Sequence, residues 1–125
     1  MNSKYLQEDV RRAIRILRKS CPLELPLRVR SVTQQEFKRS WKGEYPERGM
    51  WGDSYYMVSE SPGASYVVLR IARTGPIEAI LDTLFHEWAH LLDRGPFNVR
   101  KRHRRSWGIS YSKVYDAYER AMANE

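Results

Sequence analysis

Residues 83–92 read Thr-Leu-Phe-His-Glu-Trp-Ala-His-Leu-Leu, which places two histidines four positions apart with a glutamate beside the first. On an α-helix, residues four apart lie on one face, so His86 and His90 can direct ring nitrogens at the same cation. Glu87 points about 100° away from His86 around the helix, which suits a base acting on a metal-activated water better than a third ligand. The stretch therefore predicts a zinc-binding helix.

Apolar residues surround this motif at helical spacing, which predicts a helix that is mostly buried. They are Ile77, Ile80, Leu81, Leu84, Phe85, Trp88, Leu91 and Leu92. The alternative is a polar stripe that binds no metal. Two buried imidazoles without a ligand would carry a desolvation cost, however, and a metal ion is the commonest way to make that arrangement favourable.

Glycine and proline mark both ends of the predicted helix. Gly75 suits the N-cap, Pro76 suits the first helical position, and Glu78 lies near the positive end of the helix dipole. Gly95 and Pro96 predict that the helix ends there, after about five turns.

The N-terminal third of the chain predicts one helix and one strand. Residues 3–20 carry apolar side chains at a helical period, with arginines and lysines on the remaining surface, which indicates an amphipathic helix. Residues 25–32 alternate apolar and basic side chains and predict a strand with one buried face. Residues 33–48 predict a helical turn that leads into a loop.

The middle of the chain predicts a β-hairpin. Residues 50–59 are rich in aromatic side chains, residues 65–73 alternate in hydrophobicity, and the turn residues 61–63 join the two strands as an antiparallel pair. A last helix is predicted to start near Ser106. The sequence therefore predicts an α+β domain spanning residues 1–125, with a small antiparallel or mixed three-stranded sheet packed on the long helix.

Length and composition are those of one domain with its own core. The 125 residues are enough for a single hydrophobic core. Cys21 is the only cysteine, so the chain forms no internal disulfide, and any metal must be held by histidines and carboxylates. The first ten residues contain no apolar signal-peptide region and no later run is long enough to span a bilayer, which predicts a soluble, cytoplasmic protein without membrane contact.

The positive charge is concentrated in one segment. The net charge is +7, and six basic residues with no acidic ones lie between Arg94 and Arg105, against 16 basic and 15 acidic residues elsewhere. This segment follows the predicted metal helix directly. Its side chains are candidates for contacts with substrate or nucleic acid: Arg100, Lys101, Arg102, Arg104 and Arg105.

A zinc ion held by two histidines needs a third protein ligand, and His103 is the only other histidine in the chain. It lies thirteen residues after His90, and its cationic neighbours disfavour protonation of its imidazole. Glu119 is the main alternative, which would give a site with two histidines and one glutamate. Asp93 is a weaker candidate, because its position three residues after His90 suits a residue that orients a ligand.

The motif at residues 86–90, followed by His103 and then by Trp107, Tyr111 and Tyr115, resembles the small SprT-like zincins, including phage-encoded members. The resemblance covers about the last fifty residues. It implies a minimal zincin-like domain in which His86, His90 and His103 bind one zinc ion and Glu87 is the catalytic base. For a phage-encoded member it also implies the host cytoplasm as the location.

These observations predict a zinc-dependent metallopeptidase that hydrolyses protein or peptide substrates, with Glu87 as the general base. Tyr111 or Tyr115 is a candidate to stabilise the oxyanion, the alternative for both being core packing. Three other functions stay open: a nucleic-acid-binding module with a structural zinc, a hydrolase of other amides or esters, and a peptidase directed to DNA-bound substrates. The oligomeric state is not predicted.

Overall fold

The computed structural model describes residues 5–41, 45–46, 49–61, 63–94 and 105–124. These residues form four helices and one three-stranded sheet, which is the predicted α+β class. The elements follow one another as α1 (Glu8–Ser20), β1 (Leu27–Val32), α2 (Gln34–Ser40), β2 (Gly52–Met57), β3 (Tyr66–Ala72), α3 (Ile77–Arg94) and α4 (Arg105–Ala123). None of the described helices is both long and apolar enough to cross a membrane.

The sheet is mixed, with the strand order β1-β3-β2. β2 and β3 form the predicted antiparallel hairpin, in which Tyr55 lies opposite Val68. β1 pairs with β3 in parallel, in a register that places Arg30 opposite Arg70. Because β3 is the central strand, it is buried on both faces, and Val68 is as inaccessible as its neighbour Val67.

Three of the described helices, α1, α3 and α4, lie on one face of this sheet. α3 packs against β2 and β3, while α1 and α4 pack against α3 and against each other. Trp88 of α3 is fully buried in the resulting core. Its indole Nε1 donates a hydrogen bond to the Cys21 carbonyl oxygen at 2.9 Å, so the motif helix is tied to the end of α1.

α2 is a longer helix than the turn predicted between residues 33 and 48. The Thr33 side chain accepts a hydrogen bond from the Glu36 N–H, and the Glu36 carboxylate accepts one from the Thr33 N–H, which together form a capping box. These hydrogen bonds hold the pKa of the Glu36 carboxyl below its usual value. Phe37, fully buried, anchors the helix to the core.

The helix boundaries agree closely with the sequence for α3 and α4 and less well for α1. α3 begins directly after Pro76, and α4 begins one residue before Ser106. α1 begins at Glu8, later than predicted, after an N-cap residue, Gln7, that makes no side-chain cap. α3 runs to Arg94, and the predicted stop at Gly95 lies outside the described residues.

Gly52 allows β2 to approach both its neighbouring strand and α3. A Cβ at this position would lie 2.9 Å from the Arg70 carbonyl oxygen and 3.1 Å from the Thr83 Cγ2 atom. The first of these atoms belongs to the backbone of β3 and cannot rotate away. A residue without a side chain therefore lets the strand dock where it does.

We expect Gly52→Ala to lower the free energy of unfolding by about 1–3 kcal/mol, because the added methyl group overpacks the contact between β2 and β3. Gly108→Ala is the matched control: Gly108 lies in α4, and an added Cβ would meet no atom within 4 Å beyond its chain neighbours and the backbone of its own helix. This second change should raise stability by about 0.5–1 kcal/mol, because alanine favours the helix. Urea unfolding measures both, and a Gly52→Ala variant as stable as the original chain would contradict the close approach.

Candidate metal centre

The two histidines of the motif converge on one point beside α3. Their Nε2 atoms lie 3.1 Å apart, and their ring centroids are 4.7 Å apart with the rings close to perpendicular. Two nitrogens bound to one tetrahedral zinc at 2.0–2.1 Å would be separated by about 3.3 Å. The same separation also fits a hydrogen bond between the two rings, whose direction depends on the tautomers. The histidine pair thus has the spacing that a shared metal ion needs.

Glu87 lies about 100° from His86 and about 60° from His90 around α3, and its carboxylate meets the sheet at β2. Its carboxylate atom Oε1 accepts a hydrogen bond from the Ser54 hydroxyl at 2.6 Å. Both side chains are buried, Ser54 on β2 with 2% of its surface exposed and Glu87 with 9%. A short bond between two buried groups fixes the orientation of the carboxylate.

Trp107, in the first turn of α4, covers the histidine pair. Its ring centroid lies 5.0 Å from that of His86 and 5.5 Å from that of His90. Its indole Nε1 donates to the His86 carbonyl oxygen at 3.4 Å. On the other side, Tyr111 stacks on Trp107 at 5.0 Å between centroids, with an angle of 11° between the planes. An aromatic stack from a second helix therefore lies against one side of the histidine pair.

The two tyrosines proposed for the oxyanion differ in their surroundings. The Tyr111 hydroxyl donates to the Asp82 carboxylate at 2.6 Å, and Asp82 precedes His86 by one helical turn. Burial and this hydrogen bond raise the pKa of Tyr111 to about 12. Tyr115 is 42% exposed, and its ring packs edge-on against Phe85 at 5.6 Å. Both lie on the helix that flanks the histidines, and their catalytic roles stay predictions.

The predicted third ligand, His103, lies outside the described residues, as do Arg100, Lys101, Arg102 and Arg104. Arg105 is described and is exposed at the start of α4. Within the described ranges, no three His, Cys, Asp or Glu side chains form a group that could hold a metal ion. Glu119 and Asp93 therefore do not complete such a group with His86 and His90.

The sequence prediction missed three contacts of the site. They are the hydrogen bond of Ser54 to Glu87, the hydrogen bond of Tyr111 to Asp82, and the packing of Trp107 against the histidines. Asp82 was within reach of sequence reasoning, because it lies four residues before His86 on the same helix face. Ser54 gave no signal, since its contact depends on how β2 docks against α3.

Comparisons with protein-family models, with curated proteins and with solved structures give no match for this chain.

We expect Tyr111 to titrate near pH 12 in the folded protein, above the ordinary value of about 10. A raised pKa in the folded state means that its stabilising contribution is complete below about pH 10 and is lost as the pH rises toward 12. Asp82→Asn should lower the midpoint part of the way, because burial still acts. The measurement is tyrosine ¹³Cζ NMR, with Tyr111→Phe to assign the resonance and circular dichroism to follow folding. An unchanged midpoint in Asp82→Asn would contradict the hydrogen bond.

Proposed function

We propose that the chain is a zinc-dependent metallopeptidase of the small SprT-like zincin type. The observation that carries the proposal is the 3.1 Å separation of the His86 and His90 Nε2 atoms, on a helix that also carries the buried, fixed carboxylate of Glu87. The packing of this helix against a small mixed sheet supports a zincin-like arrangement.

We assign His103 as the third ligand. It precedes Trp107 by four residues in the sequence, and Trp107 lies against both imidazoles. The segment that carries His103 thus leads directly into a helix that covers the histidine pair. A bound zinc ion would supply a Lewis acid that makes a water molecule nucleophilic near neutral pH and polarises the scissile carbonyl.

Glu87 transfers the protons in this mechanism. Its carboxylate accepts a proton from the attacking water and later delivers a proton to the nitrogen of the leaving amine. Because Ser54 holds the Oε1 atom, we assign the proton transfer to Oε2. Ser54 is then a positioning residue, since it acts on the reaction only through the orientation of Glu87.

Negative charge on the substrate carbonyl oxygen calls for a hydrogen-bond donor besides the metal. Tyr115 suits this role better than Tyr111, because the Tyr111 hydroxyl already donates to Asp82 while Tyr115 is partly exposed. Tyr111 then serves to hold α4 against α3 beside His86.

We propose an extended peptide segment as the substrate. β2 is an edge strand of the described sheet. It runs beside α3, because the Ser54 hydroxyl donates a hydrogen bond to Glu87 and the Tyr56 hydroxyl donates one to the Leu91 carbonyl oxygen. An extended chain can add to such an edge through main-chain hydrogen bonds. The scissile bond would then lie along the motif helix.

We expect Glu87→Gln to reduce kcat by roughly 10²–10⁴-fold, the usual range for a lost general base. Zinc content should stay near one ion per chain, because Glu87 is not a ligand. Cleavage of a fluorogenic peptide library, together with metal analysis of the same samples, tests both points. If the metal were purely structural, Glu87→Gln would not change the rate of peptide cleavage. Retained turnover in this variant would therefore overturn the proposal.

The same metal analysis separates the two candidate third ligands. His103→Ala should lose most of the zinc, whereas Glu119→Ala, the matched control on α4, should retain it. The opposite result would move the third ligand to Glu119.

We expect Ser54→Ala to lower kcat by roughly 10–10²-fold, because a misplaced catalytic group costs that much even when it is still present. KM and zinc content should stay nearly constant, since the Ser54 side chain is directed at Glu87 and the proposed substrate contacts are with the main chain of β2. Ser54→Thr keeps the hydroxyl and should restore most of the rate. Thermal melting of both variants controls for folding. Equal loss of kcat in the two variants would show that the hydroxyl is not what matters.

A further inference from the structure

The sheet has a second polar surface, on the face that points away from α3. Side chains alternate between the two faces of a strand, so Asp53 points to this face while Ser54 points to α3. The strand registers place Arg30, Arg70 and Asp53 side by side across the three strands. Between this row and α2 lies a cavity of about 420 Å³. Its charged and polar lining is formed by Arg30, Arg39, Arg70, Ser31, Ser40 and Glu36.

Arg70 forms the rigid floor of this cavity. Its guanidinium binds both carboxylate oxygens of Asp53, with the Nε to Oδ1 distance at 2.7 Å, and its Nη1 donates to the Ser40 hydroxyl at 2.8 Å. It also lies over the Phe37 ring at 5.1 Å. These contacts hold the group in place, and Asp53 offsets its charge.

Arg30 and Arg39 are different, because both are exposed and neither forms a salt bridge with a carboxylate of the described residues. The parallel register sets Arg30 directly opposite Arg70, and like charges at such positions destabilise a sheet. The one lining carboxylate, Glu36, is hydrogen-bonded to Thr33 in the capping box and interacts electrostatically with Arg39, and the three lining arginines outnumber it. The cavity therefore carries an excess of positive charge that an anion would stabilise.

Aromatic side chains lie beside the arginines on the same face. Tyr55 is 37% exposed, and its ring centroid lies 6.0 Å from the Arg70 guanidinium carbon. Tyr66 lies under Arg28 at 3.7 Å. Guanidinium groups bind phosphate through paired hydrogen bonds, and exposed aromatic rings next to them are what nucleobases stack on.

We infer that this cavity is a binding site for a nucleotide phosphate, held by Arg30 and Arg39, with Tyr55 as the ring on which the base stacks. The site lies across the sheet from His86 and His90 and does not depend on the proposed peptidase activity. None of the residues that line it belongs to the basic segment at residues 100–105. The phosphate can belong to a single strand of nucleic acid or to a free nucleotide, and the two sources are distinguished by experiment.

The test is fluorescence anisotropy of labelled oligo-dT and oligo-U of about twelve nucleotides at low salt, with ATP and AMP as competitors. Arg30→Gln and Arg39→Gln should each weaken binding several-fold and reduce the slope of log affinity against log salt by about 0.7, the value for one phosphate contact on a single strand. Tyr55→Ala should weaken binding without changing this slope. Arg15→Gln, an exposed arginine on α1, is the matched control for loss of one positive charge and should bind as the original chain does.

The competition arm identifies the source of the phosphate. If ATP or AMP displaces the oligonucleotide and binds with the same dependence on Arg30 and Arg39, the site takes free nucleotides. If only the oligonucleotide binds with that dependence, the site takes a strand. Three results would overturn the inference: no binding of either ligand, unchanged binding in Arg30→Gln and Arg39→Gln, or an equal loss in Arg15→Gln. Thermal melting of each variant ensures that only folded protein is compared.

Discussion

Burial of the Trp88 indole sets the rotation of α3 about its axis, and the rest of the candidate site depends on that rotation. With the indole in the core and bonded to the Cys21 carbonyl, the 100° step per residue determines where each neighbour points. His86 and His90 fall about 160° to either side of Trp88 and so share the opposite face. Glu87, about 100° from Trp88, faces β2 instead. One apolar anchor thus determines the directions of the two imidazoles and of the Glu87 carboxylate.

The second requirement is a cover for the imidazoles, and α4 supplies it. Trp107 and Tyr111 form a stack whose first ring contacts both histidines, and the Tyr111–Asp82 hydrogen bond holds this stack against α3. Shielding from water strengthens electrostatic interactions at the site. It also raises the cost of leaving polar groups there without a ligand. The packing of α3 on α4 therefore affects both the stability of the site and its chemistry.

Local chemistry made part of this arrangement predictable. Gly75 and Pro76 marked the start of α3, histidines four apart implied a shared face, and the turn at residues 61–63 implied the hairpin. Contacts between distant segments were not predictable in the same way. Ser54 reaches Glu87 across 33 residues of sequence, and the parallel pairing of β1 with β3 depends on the whole topology. The predicted helical turn is present as α2, and its full length could have been predicted from the capping box of Thr33 and Glu36.

The two candidate sites are linked by the register of β2 and by little else. Asp53 and Ser54 are adjacent residues that point to opposite faces, so Asp53 orients Arg70 in one site while Ser54 orients Glu87 in the other. A slip of one residue would exchange the two faces and disrupt both sites at once. Two contacts oppose such a slip. Gly52 lies where a side chain would meet the Arg70 carbonyl oxygen, and the Asp53–Arg70 ion pair requires both side chains on the same face of the sheet. Substitutions that act on side chains alone, such as those at Ser54 or Arg30, should therefore affect one site and leave the other intact.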